Sequence, residues 1–178
     1  MRKNSKTVIY KQLPTPFSIT CGPENPASLG CEFYVLEDNE VATTFVPDKI
    51  HEGQLSIMHG GLTASVLDEL MGRAVMAYHD EEQRCEEVFI SRYVTAEMTT
   101  KYKRPIHIGD RVYGYGSVVD HEGRKSFASA YLINEKEEIL ATAEGLFIEV
   151  KVKREDLTDR LIKGENRQKL SKKDPKVL

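Results

Sequence analysis

Between residues 58 and 79 the chain reads MHGGLTASVLDELMGRAVMAYH, and this run constrains everything around it. Two glycines open it and no proline interrupts it. Leu62, Val66, Leu67, Leu70, Met71, Ala74, Val75 and Tyr78 recur at i, i+3 and i+4. That period predicts a helix of about five turns, roughly 28 Å at ~1.5 Å rise per residue. The apolar arc is broader than a surface helix needs, so the helix should be largely enclosed by protein. Asp68 sits within it. At about 100° per residue its neighbours on the wheel are Gly61, Ala64, Ser65, Gly72 and Val75. A carboxylate on a face of small residues has free space beside it, room for a ligand or a partner chain.

The flanking sequence supplies strands. Residues 31–36 and 41–46 read as a hairpin turning at Asp38-Asn39, and a loop over 47–57 leads into the helix. After the helix, the charged run 80–87 predicts a solvated connection. Four extended segments follow, at 88–102, 111–119, 126–133 and 139–152. Their separators are turn-forming: Arg104-Pro105 with Gly109-Asp110, then 120–123, then 134–138. No helical stretch lies between them, so neighbouring strands should pair antiparallel. Gly114 and Gly116, Ala128 and Ala130, and Ala141, Ala143 and Gly145 alternate along their segments, each set on one face. Such a band lets a curved sheet close around something bulky, and the helix at 60–78 is the bulky candidate.

At 178 residues the chain accommodates one domain with extensions. Residues 1–15 are polar and basic and read as an arm or loose extension, residues 16–153 as the folded domain, and residues 154–178 as a charged tail. In that tail lysine and arginine outnumber the acids, which predicts a flexible or partly helical segment, with docking to an acidic partner as the alternative. A net charge of -3 argues against general nucleic-acid binding. No apolar run approaches the ~18 residues of a membrane span, and the N-terminus lacks the apolar core of a signal peptide. Cys21, Cys31 and Cys85 form no CxxC pair and have no metal-ligand spacing with histidine. The expectation is reduced thiols in a cytoplasmic protein, with no metal and no cofactor.

Two strands, one long central helix and four strands, with small residues where sheet meets helix, is the order expected of an α+β hotdog fold. Here the resemblance becomes specific. His59-Gly60-Gly61, an aspartate nine residues after the histidine and Gly72 four beyond that resemble the signature of the PaaI-like acyl-CoA thioesterases. Residues 95–105, TAEMTTKYKRP, followed by Gly109-Asp110, are similar to that family's third strand and the turn after it. His51-x-Gly53 and the CGPENP cluster at 21–26 resemble a subgroup of it. The resemblance covers roughly residues 18–152. It implies hydrolysis of an acyl-CoA to a carboxylic acid and free coenzyme A, with the coenzyme as part of the substrate. It also implies a homodimer, with dimers pairing into tetramers, in which the helix glycine and the acidic residue of one site come from two subunits.

Thioester hydrolysis builds negative charge on the carbonyl oxygen, and preorganised donors aimed there are worth about 3 kcal/mol each. The first N–H groups of a helix have no intrahelical partner and lie at its positive end. Gly60 and Gly61 fit that role, since no Cβ obstructs the approach of an acyl group; the resemblance points to the Gly60 amide in particular. His59 is not a preferred N-cap residue; it is expected to position the loop through a ring N–H rather than to transfer a proton, with simple packing as the alternative. Asp68 is the candidate for general base on a water, or for direct attack on the carbonyl to give an anhydride; the sequence leaves both open. Thr95 falls by alternation on a strand face with Glu97, Thr99 and Lys101, and the resemblance implies that it holds the attacking water. Glu69 has Arg73 at i+4, which reads as a surface ion pair. Lys101, Lys103 and Arg104, with Arg124 and Lys125 at a later turn, are candidates for the coenzyme phosphates. Alternatives are a non-catalytic acyl-CoA sensor, in which Asp68 would have no task, and a hotdog hydratase, whose acid–base dyad is not evident here. The acyl group is not readable from the sequence.

Overall fold

The computed structural model describes residues 6–79, 89–153 and 167–178. The elements run β1 (Val8–Gln12), β2 (Glu32–Leu36), β3 (Val41–Phe45), a single 3-10 turn (Lys49–His51), β4 (Glu52–Gln54), β5 (Ile57–Met58), α1 (Gly60–His79), β6 (Phe89–Tyr102), β7 (Val112–Glu122), β8 (Lys125–Ile133), β9 (Ile139–Lys153) and β10 (Arg167–Gln168). Eight strands form one antiparallel sheet in the order β10-β1-β2-β3-β7-β8-β9-β6, while β4 and β5 make a separate small hairpin. The sheet curls around α1, the hotdog arrangement expected from the order of elements. The expected hairpin is β2–β3, turning where Asn39 takes a φ of 62°.

The small-residue band does what its spacing predicts. Register aligns Val41, Gly116, Ala130, Ala143 and Thr100 in one row across five strands. A Cβ on Gly114 would lie 2.7 Å from Leu70 Cδ1, and one on Gly116 would lie 2.7 Å from the Leu70 carbonyl oxygen. At Gly116 the obstacle is the helix backbone itself, so β7 sits there where only glycine lets it sit, whereas at Gly114 the neighbours are side-chain ends of Leu70, Leu132 and Thr43 that a Cβ would push aside. Against this floor α1 buries Val66, Leu67, Leu70, Met71, Ala74 and Val75 completely. The helix is not enclosed all round, however: Gly61, Ser65, Asp68 and Gly72, spaced i, i+4, i+7 and i+11, remain part-open or exposed.

Three expectations are corrected. Residues 6–12 are not a loose arm: β1 pairs with β2, and Val8 and Gln12 are buried. Glu69 and Arg73 are not a surface pair. The Arg73 side chain is 6% exposed, donates to Glu69 at 2.8 Å, to the Leu13 carbonyl at 3.2 Å and to Cys21 Sγ at 3.3 Å, and stacks over the Phe33 ring. Segment 13–21 thus folds over the back of the helix, with a buried guanidinium paired and hydrogen-bonded as burial demands. The end of the tail is docked rather than loose: β10 pairs with β1, and Leu170 and Leu178 pack on an outer apolar cluster of Val8, Tyr34, Leu36, Ala42, Tyr115 and Ile133. The predicted connection 80–87, Cys85 and residues 154–166 of the tail lie outside the described residues. Cys21 and Cys31 are buried free thiols, and burial pushes the Cys31 thiol up to about 12. Among the described residues, no helix is long and apolar enough to cross a membrane.

Candidate active site

The chain enters α1 through a braced turn. Asp48 caps the short 3-10 turn, and the buried His51 ring accepts the Asp48 N–H at 3.0 Å with its other nitrogen 3.2 Å from the Ala27 carbonyl. The His51 carbonyl accepts the His59 N–H at 2.8 Å. Gly53 presses on the same residue, for a Cβ there would stand 2.7 Å from His59 Cα. His59 then starts the helix: its carbonyl accepts from Leu62 and Thr63 at 3.0 and 3.1 Å, and its ring Nδ1 accepts the Gly61 N–H at 2.9 Å. The ring therefore positions the loop as an acceptor, not through a ring N–H as expected from the sequence. It also distinguishes the two glycines. Gly61 has a partner for its amide, whereas the Gly60 N–H has no acceptor among the described residues. A helix N-terminus with one uncommitted amide is a site prepared for partial negative charge.

Gly60 lines a cleft of about 600 Å³ together with Met58, His59, Tyr102, Lys103 and Arg104, among others. The Tyr102 hydroxyl donates to the Gly60 carbonyl at 3.0 Å. Lys103 and Arg104 place positive charge on the far wall, with Arg104 also donating to the Ile139 carbonyl at 3.2 Å and lying 3.6 Å from Glu138. Lys101 stands apart from them. It lies on the outer face of β6 with Glu97 and Thr99, across from Thr142 of β9. Arg124 is farther still, in the β7–β8 turn, where its guanidinium donates to the Glu149 carbonyl at 2.7 and 3.2 Å. Nearby Ser126 bonds to His79, the last residue of α1, so Arg124 and Lys125 belong to the opposite end of the helix from Gly60.

Asp68 lies two turns into the helix, half-buried on its small-residue strip. Thr95 Oγ1 donates to Asp68 Oδ1 at 2.7 Å. Strict alternation predicts that Thr95 shares a face with Glu97, Thr99 and Lys101, and the register overturns that. Thr95 lies opposite Phe147 and Glu97 opposite Leu146, so Ala96 is an unpaired extra residue. This bulge flips the strand, bringing Thr95 onto the helix-facing side with Met98, Thr100 and Tyr102. Tyr102 was hidden from sequence reading by the same extra residue, since alternation puts it opposite to Thr95. With Oδ1 engaged by threonine, Asp68 Oδ2 is left to accept a proton from water or to act as a nucleophile.

Gly60 and Asp68 are eight residues apart, which is about 12 Å along the axis at ~1.5 Å per residue. One thioester carbonyl within hydrogen-bond reach of the first is out of reach of the second. The strip around Asp68 is open beside β6, whose outer edge pairs with no strand among the described residues.

Comparison with known proteins bears on this arrangement. The model of the thioesterase superfamily matches residues 55–141. The acyl-coenzyme A thioesterase THEM4 of Xenopus laevis is 31% identical over 121 residues, covering 67% of this chain and 50% of that protein. The chain thus spans about half the length of the curated relative it matches. Among solved structures, the thioesterase superfamily protein RHA08564 superposes with a TM-score of 0.65 at 25% identity over 75% of this chain and 61% of its own. The E. coli PaaI protein does so with a TM-score of 0.58 at 16% identity over 68% and 80%, a likeness of fold. The matched residues run from the β4–β5 turn through α1 to the start of β9, so this part of the chain is a thioesterase-superfamily module, and its fold is the hotdog fold shared with the E. coli PaaI protein.

Proposed function

We propose that the protein hydrolyses an acyl-CoA thioester to a carboxylic acid and free coenzyme A, at a site completed by two copies of the chain. The observation that carries this reading is the Asp68–Thr95 pair, a carboxylate held at 2.7 Å by a hydroxyl on an open face of the helix. A carboxylate fixed at one oxygen and free at the other is arranged for proton abstraction or attack. The Gly60 amide supplies the complementary half. It stabilises the oxyanion as the carbonyl becomes tetrahedral, with the dipole of a 20-residue helix behind it. Lys103 and Arg104, on the wall of the same cleft, suit the coenzyme's phosphates. Because the two halves lie about 12 Å apart within one chain, Gly60 of one copy works with Asp68 of another. The open edge of β6 and the small-residue strip provide the surface on which two copies meet.

Asp68→Asn keeps the shape of the side chain and removes its negative charge. Thiol release from short, long and aromatic acyl-CoAs should fall at least about 100-fold in turnover, with KM little changed. The acyl series identifies the substrate. Wild-type protein that binds acyl-CoA tightly and releases no thiol from any of them overturns the proposal in favour of a sensor.

A further inference from the structure

The peptide plane between Gly60 and Gly61 is held at both ends by side chains. Its carbonyl accepts the Tyr102 hydroxyl at 3.0 Å, and its N–H donates to His59 Nδ1 at 2.9 Å. Tyr102 closes β6, opposite Ala141, so the first bond ties the edge strand to the first turn of the helix. Two successive glycines have the widest backbone freedom of any dipeptide. The first turn also lacks the preceding hydrogen bonds that steady later turns. Unrestrained, the Gly60–Gly61 peptide would rock. The Gly60 N–H lies in the preceding peptide, whose carbonyl is held by Leu62 and Thr63, so this motion would reach it through the dihedrals of Gly60. Oxyanion stabilisation depends on donors that need no reorganisation at the moment of reaction, so the restraint has a chemical consequence.

We propose that Tyr102 is a positioning residue: its hydroxyl, together with the His59 ring, clamps the Gly60–Gly61 peptide and so sets the aim of the Gly60 amide. This inference rests on the thioesterase reading of the same site. The hydroxyl matters more than the ring. The ring carbons come no nearer than 3.6 Å to where a Gly60 Cβ would stand, an ordinary contact, and the residue is 56% exposed. Losing the hydroxyl alone leaves the ring in place on the cleft wall, so it affects turnover rather than substrate binding.

Tyr102→Phe removes the hydroxyl and keeps the ring. The expected result is a fall in kcat of about five- to tenfold, the value of one hydrogen bond, with KM within about twofold. Amide hydrogen exchange at Gly61 in the free protein should rise by about fivefold or more as the His59–Gly61 bond loosens. Tyr102→Leu, which removes the ring as well, should show at least the same loss of kcat. A raised KM with unchanged kcat overturns the inference, because Tyr102 is then a wall of the cleft. Unchanged exchange, or faster exchange without loss of kcat, overturns it too. Hydrolysis by wild type and undiminished hydrolysis by Tyr102→Phe reject this inference alone, whereas wild type that releases no thiol rejects the thioesterase reading and this inference with it.

Discussion

At the scale of the residue, one insertion decides which hydroxyl reaches Asp68. Ala96 has no partner opposite it, and that single extra residue turns Thr95 from the outer face of the sheet toward Asp68. Thr95→Val keeps the branched shape and removes the donor, leaving the carboxylate free to turn. Steady-state kinetics should show kcat lowered about tenfold or more, since hydrogen bonds to charged groups are worth about 1.5–3 kcal/mol. An unaltered kcat would remove Thr95 from the machinery. Asp68, His59 and Gly60 were legible in the sequence because their mutual spacing along one helix is a local property. The partner of Asp68 was not, because a bulge leaves no mark in a run of strand-forming residues. The same limit applies to Gly61, whose amide looks equivalent to that of Gly60 until the His59 ring is in place.

Among the elements, α1 and the four strands after it were readable because each carries a sustained period and because three of them share the small-residue band. The N-terminal strand and the docked end of the tail were not. In β1 the sequence VIYKQ buries only its ends, and β10 is two residues long. Both gain their stability from each other and from β2 rather than from a pattern of their own. Asp174 is the anchor. It accepts from the Ser171 N–H at 2.6 Å and from the Tyr34 hydroxyl at 2.9 Å and lies 3.5 Å from Lys11. The Ser171 amide and hydroxyl, with the Tyr34 hydroxyl and Lys11, hold its carboxyl down to about 2 from an ordinary 3.8. A depressed carboxyl stabilises the folded form wherever it is ionised in both states, above about 4, and loses that contribution as pH falls through about 2. Asp174→Asn should therefore lower Tm near neutral pH. Followed by differential scanning calorimetry, the gap to wild type should close as the pH approaches 2.

For the whole molecule, the decisive number is the separation of about 12 Å between the Gly60 amide and Asp68 along one helix. It makes the composite site testable by mixing two inactive chains. Gly60→Pro deletes the donor at a helix position where proline is well accepted, and Asp68→Asn deletes the charge. If each site takes one half from each copy, a mixed dimer carries one intact and one doubly impaired site. Random 1:1 reassociation should then recover about a quarter of wild-type turnover under two-fold symmetry. Recovery of none after subunit exchange, verified by mass spectrometry, would place both halves in one chain. Full specific activity in a sample diluted to monomers would contradict the shared site as well.

What the sequence determined by itself is whatever rests on neighbours along the chain: the helix, its period, the glycines before it, the position of Asp68 and the small residues that let the strands close. These follow from steric and hydrophobic preferences that act over a few residues. The tertiary structure decided which amide stays uncommitted, which hydroxyl meets the carboxylate, where Arg73 finds its partners and which strand leaves an edge open. Each of those depends on atoms brought together from distant positions, and a shift of one residue in a single strand is enough to change the answer.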